Sequence, residues 1–170
     1  KNTIRHSNQR CVVVHGTDNL LISNNVAYDT KGHCYILEDG IETGNSFVRN
    51  LGAQTGIPNT IIPNFGSNGK ETDDKPATFW ITNPSNIWVK NVAAGSQSSG
   101  FWLELLTRGQ RASLYQGIHP KFAPLMSFED NVAHSNADIG LRTYPSGYLP
   151  DDVQVMGGLK AYLNEKAGVF

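Results

Sequence analysis

Apolar and polar residues along this chain alternate in short runs, not in a helical period. The stretch from His33 to Glu42 reads His-Cys-Tyr-Ile-Leu-Glu-Asp-Gly-Ile-Glu and sets the pattern. Arg10 to Gly16, Arg-Cys-Val-Val-Val-His-Gly, repeats it, with Cys11 placed 23 residues before Cys34. Thr78 to Asn83 and Gly100 to Leu105 are further short aromatic and aliphatic runs. A repeat in the low twenties, built from a short β-rich run, a turn and a second short run, is the mark of a solenoid, whose units bury their apolar faces only by stacking.

A second pattern gives the corners. Asn25-Val26-Ala27, Asn50-Leu51-Gly52, Asn91-Val92-Ala93 and Asn131-Val132-Ala133 each follow a short alternating run, at spacings of 25, 41 and 40 residues. They read as four copies of one bend, because Asn tolerates left-handed backbone and its amide can bond to the amide of the next coil, forming a ladder. The excess length falls in Gln54 to Lys75 and Leu106 to Pro124, both rich in turn residues, with a third loop at Pro145 to Gly158. The first two read as long loops leaving one side of a regular stack, where solenoids place insertions and often function. The expected fold is therefore all-β, a parallel β-helix over residues 1–170 with two long loop insertions.

Stacking the coils aligns Cys11, Cys34, Phe79, Phe101 and Leu141, and two residues on Val13, Ile36, Ile81, Leu103 and Thr143, as interior files. The intervening file, Val12, Tyr35, Trp80, Trp102 and Arg142, then faces outward, and its Tyr, Trp, Trp and Arg form what a sugar-binding platform requires. The same rings would equally stack on one another as ordinary sheet packing, or lie beneath the long loops. In this alignment Cys11 and Cys34 stack about 4.8 Å apart, which suits either a buried thiol pair or a disulfide.

Composition narrows the function. With 14 basic and 15 acidic residues the chain has no electrostatic footprint for nucleic acid. No apolar stretch reaches the roughly 20 residues of a membrane helix. Asn2 to Gln9 already resemble a turn and Ala161 to Phe170 end inside an apolar run, so the sequence reads as a piece of a longer chain. Partners of the kinds expected are a polysaccharide, other proteins, or other domains of the same chain.

For chemistry, His15 falls one coil from Glu38, with Asp39 adjacent, an arrangement that would orient and charge the imidazole for proton transfer. Alternatively Glu38 and Asp39 serve only the turn amides before Gly40. Glu104 follows Trp102 on the aromatic face, and with Arg142 would suit an acidic or hydroxyl-rich polymer. Glu38 and Glu104 lie two coils apart, on the order of 9 to 10 Å, at the edge of the inverting-glycosidase range, although strand parity in this alignment sets them on opposite faces. There is no zinc-like Cys/His spacing, and no cofactor is expected beyond calcium, which Asp73-Asp74 or Asp151-Asp152 could hold if they are more than solvated loop charges.

These motifs together carry a resemblance. Arg10-Cys11 with Val14-His15-Gly16, Gly32-His33-Cys34 with Glu38-Asp39-Gly40, Thr78-Phe79-Trp80 with Asn83-Pro84, Ala93-Ala94-Gly95-Ser96 with Gly100-Phe101-Trp102, and Ala133-His134-Ser135-Asn136 occur in this order. The sequence from about residue 10 to 144, with an echo in Lys160 to Phe170, resembles the family of the cell-migration-inducing hyaluronan-binding protein, its transmembrane hyaluronidase relative and the fibrocystin-like receptors. The resemblance implies a right-handed parallel β-helix of the pectin-lyase-like class, in a secreted or cell-surface protein with further domains on either side. It implies hyaluronan binding or depolymerisation in some members and a receptor-like role in the fibrocystin-like branch. It maps no catalytic residue onto this sequence, whose long loops are shorter and lack extra cysteines. Two functions follow: a carbohydrate-directed module that binds, and could cleave, an extracellular polysaccharide, or a rigid structural or adhesive segment without chemistry of its own.

Overall fold

The structure is a computed structural model that describes residues 1–62, 66, 69–114 and 116–170, apart from the side chain of residue 112. The chain winds in coils of up to three short strands. The first coil is β1 (Thr3–Arg5), β2 (Val12–Val14) and β3 (Leu21–Ser23). The second is β4 (Val26–Lys31), β5 (Tyr35–Leu37) and β6 (Ser46–Val48), and the third is β7 (Leu51–Gly56), β8 (Ala77–Ile81) and β9 (Ile87–Val89). The fourth holds β10 (Val92–Ala94), β11 (Ser99–Leu103) and β12 (Ser127–Glu129), followed by β13 (Val132–His134), β14 (Ile139–Arg142), β15 (Lys160–Tyr162) and β16 (Ala167–Val169). Strands pair in parallel between coils and form three sheets, β1-β4-β7-β10-β13-β15, β2-β5-β8-β11-β14-β16 and β3-β6-β9-β12. This is the parallel β-helix that the repeats imply. Among the described residues no helix is long and apolar enough to cross a membrane.

The strands of the third sheet point their middle residues Ile22, Phe47, Trp88 and Phe128 inward, and the second sheet turns in Tyr35, Phe79 and Phe101, so flat rings pile up along the axis. Tyr35, Phe79 and Phe101 stack at 4.8 and 4.7 Å, and Phe47 lies on Trp88 at 4.0 Å. All five are fully buried. Offset stacking of this kind adds to the burial of large apolar area.

The asparagine corner is a ladder, as expected. The side-chain oxygen of Asn50 accepts from the backbone N and the amide of Asn25, Asn91 does the same for Asn50, and Asn131 for Asn91. The left-handed residue is the one before each rung, namely Asn24, Arg49, Lys90 and Asp130. Two further ladders were not evident from the sequence, Asn45 to Asn86 and Asn136 to Asn164. The two cysteines form a disulfide across the first two coils, with Cα atoms 4.5 Å apart, which excludes the thiol pair.

Two expectations are corrected. Tyr35, and not Cys34, pairs with Phe79, so the register slips by one residue between the second and third coils. Cys34 donates its N–H to Ala77, which sets it opposite Thr78 and turns the Tyr35 ring into the core, with its hydroxyl on the Leu51 carbonyl. The loops also leave from two corners, not one side. Residues 57–76 precede the second sheet's β8, whereas residues 104–126 and 143–159 follow β11 and β14. The first begins later than its composition suggests, because Thr55 and Gly56 still pair with Thr30 and Lys31.

Candidate functional site

Both long loops fold over the outer face of the second sheet. Its outward file is Val13, Ile36, Trp80, Trp102 and Arg142, set by successive pairings. Trp80 and Trp102 do point outward, but they are 0% and 2% exposed, and with Ile36 and Ala77 they form a small apolar cluster separate from the main core. The bare aromatic platform is thus absent: Gly66 and residues 70–75 lie over this side of the sheet, and Tyr35 belongs to the interior.

Charged residues pin that cover. Arg10 pairs with the fully buried Asp73, whose carboxylate also lies 3.3 Å from the His33 N–H. The His33 ring stacks on Trp80 at 4.0 Å. Its Nδ1 accepts from Ala77 N–H, which leaves the proton on Nε2, 3.2 Å from the Thr72 hydroxyl. Complete burial, reinforced by the Arg10 charge, holds His33 well below the usual imidazole range. The Asp73-Asp74 turn is thus part of the pin, while Asp151 and Asp152 are exposed.

Arg142 sits at the end of this cover with its guanidinium over the Trp102 ring at 3.8 Å, and burial lowers its pKa. Its Nε donates to the Tyr144 carbonyl at 2.7 Å, and Asp138 lies 3.9 Å from Nη1. A groove of about 370 Å³ opens there between Lys75, Arg142, Tyr144, Lys166 and Phe170, beside Asp138. A second hollow of about 250 Å³ shares Lys75, Arg142 and Tyr144. The Tyr144 and Phe170 rings are 58% and 63% exposed.

At the other end of the face, the structure brings three of the sequence candidates together. His15 Nδ1 lies 3.1 Å from Glu38 and 3.9 Å from Asp39. The loop after β11 adds Arg111, which pairs with Glu38 and lies 3.5 Å from Asp39, and Ser113, whose hydroxyl donates to Asp39 at 3.0 Å. Arg111 is a left-handed residue, a conformation that costs energy outside glycine. Glu42, which the sequence did not single out, takes the turn role considered for Glu38 and Asp39: it accepts from the backbone N–H of Gly16, Asp39 and Gly40. The carboxylates of Asp39 and Glu42 and the His15 ring each place an atom within 4.8 Å of the others, but those carboxylates already hold Ser113, Arg111 and the turn amides.

Glu104 stands apart from this cluster. It is fully buried and accepts from Trp102 Nε1 at 2.9 Å. The corrected register puts it in one outward file with His15, Glu38 and Thr82, so Glu38 and Glu104 share a face two rungs apart. The parity objection drops, but Glu104 lies beneath the cover and Glu38 beside the Arg111 loop.

Comparison with known proteins follows these motifs. A family model described as CEMIP beta-helix matches residues 1–141. The chain is 40% identical over 158 residues to the human protein named cell surface hyaluronidase CEMIP2, covering 82% of this chain and 11% of that protein. It is 32% identical over 157 residues to the human cell migration-inducing and hyaluronan-binding protein, covering 82% and 12%. Mouse fibrocystin-L is 35% identical over 147 residues, covering 86% and 3%. The chain therefore spans about a tenth or less of these curated relatives. Together with the coil architecture and the Asn ladder, the match over most of the sequence shows that this chain belongs to the CEMIP β-helix family.

Proposed function

We propose that this chain is the carbohydrate-directed β-helix of a larger extracellular or cell-surface protein, and that it binds an acidic polysaccharide such as hyaluronan on the outer side of its second sheet. The observation that carries this reading is the groove at Arg142. A guanidinium fixed on Trp102 stands between Lys75 and Lys166, next to the exposed Tyr144 ring. Arg and Lys recognise the carboxylate of a uronate and the ring packs on a sugar face. The names of two relatives, a hyaluronidase and a hyaluronan-binding protein, support the same class of ligand.

Cleavage, if this module contributes to it, belongs to His15, Glu38 and Asp39. Glu38 contacts His15 directly, so the two act as one proton-transfer unit in which the carboxylate orients the ring. A glycosidase needs one group to protonate the leaving oxygen and a second, across the bond, to activate water in the inverting route or to attack the sugar in the retaining one. A pair in contact supplies one of these roles, leaving the other to a group elsewhere in the protein.

The reading is tested by titrating the 170-residue chain with hyaluronan oligosaccharides and by sizing the polymer after incubation. Lys75→Glu with Lys166→Glu should weaken binding at least tenfold, and His15→Gln or Glu38→Gln should abolish any shortening without changing binding. The alternative, a rigid structural segment, is favoured by the burial of Trp80 and Trp102, the largest outward rings. Unchanged heat or fluorescence on addition of hyaluronan would decide for it.

A further inference from the structure

The first sheet presents a different outer face, which none of the described loop residues covers. Its outward files are Thr3-Val26-Leu51-Val92-Val132-Lys160 and Arg5-Tyr28-Ala53-Ala94-His134-Tyr162. In the first file Val26, Leu51, Val92 and Val132 are all half-buried, which leaves a flat apolar floor. In the second, Tyr28 is 39% exposed, and His134 stacks on the 48% exposed Tyr162 at 4.9 Å with their planes 3° apart. Between these rings only Ala53 and Ala94 rise from the sheet. Three strand spacings separate Tyr28 from His134, a trough of about 14 Å.

Cations border it. Arg5 lies 5.9 Å from the Tyr28 ring, Lys160 ends the apolar file, and the left-handed bend exposes Arg49 and Lys90 along one edge. A hollow of about 370 Å³ joins Arg49 to Val26 and Leu51. The nearby acids are fewer: Asp130 on the bend, and Asp29, which already faces Lys31 and His6 at 3.7 Å. Backbone groups on this face are consumed by the strand ladder, so it cannot recruit an extra β-strand. What it offers is ring faces, a flat apolar floor and positive charge. These match the C–H face and the carboxylate of an acidic sugar, not a neutral one.

We infer that the outer face of the first sheet is a second track for a uronate-bearing polysaccharide, which lies along the helix axis with sugar rings over Ala53 and Ala94 between Tyr28 and His134. This rests on the reading that the chain's ligand is an acidic glycan, but it uses none of the residues of the Arg142 groove. Two tracks on one rigid stack would engage one long polymer twice, raising avidity without new contacts at either site.

The test is calorimetric titration of the 170-residue chain with a hyaluronan decasaccharide and with a neutral oligosaccharide of similar length. Tyr28→Ala with Tyr162→Ala should weaken hyaluronan binding about fivefold to tenfold. Ala94→Glu, which places a carboxylate on the floor, should weaken it by a similar factor. Both changes lie on the solvent side, and circular dichroism should show the parent fold. If both variants bind as the parent does while Lys75→Glu with Lys166→Glu weakens binding, the second track is wrong and the groove stands. If the parent binds no hyaluronan, both readings fail. Equal weakening toward the neutral sugar would overturn the acidic specificity. Self-association of the parent that Ala94→Glu abolishes would instead assign this face to a second copy of the chain.

Discussion

The first and second sheets have the same parallel ladder, yet their outer faces differ in nearly every respect. The first carries Val, Leu and Ala, half-exposed, with rings only near its ends. The second carries Ile36, Trp80, Trp102 and Glu104, all buried, and joins buried charges at Asp73 and Arg142. The cause is the length of the connections. Coils pass from the third sheet to the first through two residues at the Asn bend, whereas both corners of the second sheet carry excursions of about 20 residues. A long excursion can fold back, and large outward side chains then become a second, minor core. None of the described loop residues covers the first sheet in this way, so the middle of its outer face stays small and half-exposed.

The largest effect that tests this difference is removal of a covered ring. Trp80→Ala deletes a fully buried side chain that touches His33 and Trp102. It should cost about 3–5 kcal/mol, as large-to-small changes in cores do. Urea unfolding would measure it. A cost below about 1 kcal/mol would show that the loop before β8 does not seal the face.

Next is the Asn bend, where the third sheet passes into the first. Asn91→Ala removes the acceptor for the backbone and side-chain amides of Asn50, and leaves the Phe47 carbonyl without its partner. Because these groups are buried, the loss should be about 1–3 kcal/mol or more in the same assay. A cost near zero would mean that the ladder follows from the strand stack and does not help to hold it.

Much of this was legible in the sequence. Strand runs, the Asn bend and the adjacency of Cys11 with Cys34 and of His15 with Glu38 all follow from counting along coils one and two, where no insertion intervenes. The Tyr35 slip was not legible, because the 20-residue excursion before β8 erases the count that would place Phe79. The burial of Trp80 and Trp102 depends on the path of that same loop, and composition does not specify a path. Arg111 reaches Glu38 from 73 residues away, a contact that no local spacing encodes. Glu42 was within reach of local reasoning, since Asp39-Gly40 marks a turn and a carboxylate two or three residues on can fold back onto its amides.

A smaller, pH-dependent effect distinguishes the pinned face from the bare one. The folded chain holds His33 neutral below its ordinary pKa, so between those two values the unfolded chain binds the extra proton. The resulting stability is fully present above about pH 6.5 and erodes as the pH falls below it. Protonation would also break the Ala77 N–H bond to Nδ1. Unfolding at pH 7.5 and 5.5 should show a loss for the parent that is reduced in His33→Gln, although that variant starts less stable. Equal slopes would place the acid sensitivity elsewhere.

The smallest predicted effect is also the sharpest on the cause of the difference. Val13 belongs to the same outward file as Ile36 and Trp80 and is paired directly with Ile36, but it is 45% exposed whereas Ile36 is 1% exposed. If membership of the second sheet made outer residues critical, Val13→Thr would be costly. If cover by the loops is what matters, the hydroxyl meets water, β-branching is kept, and the change should stay within about 0.5 kcal/mol of the parent. Urea unfolding of Val13→Thr beside Ile36→Thr therefore separates the two causes at adjacent rungs. A cost for Val13→Thr approaching that of Ile36→Thr would mean that the sheet, and not the loop above it, sets the burden on its outer face.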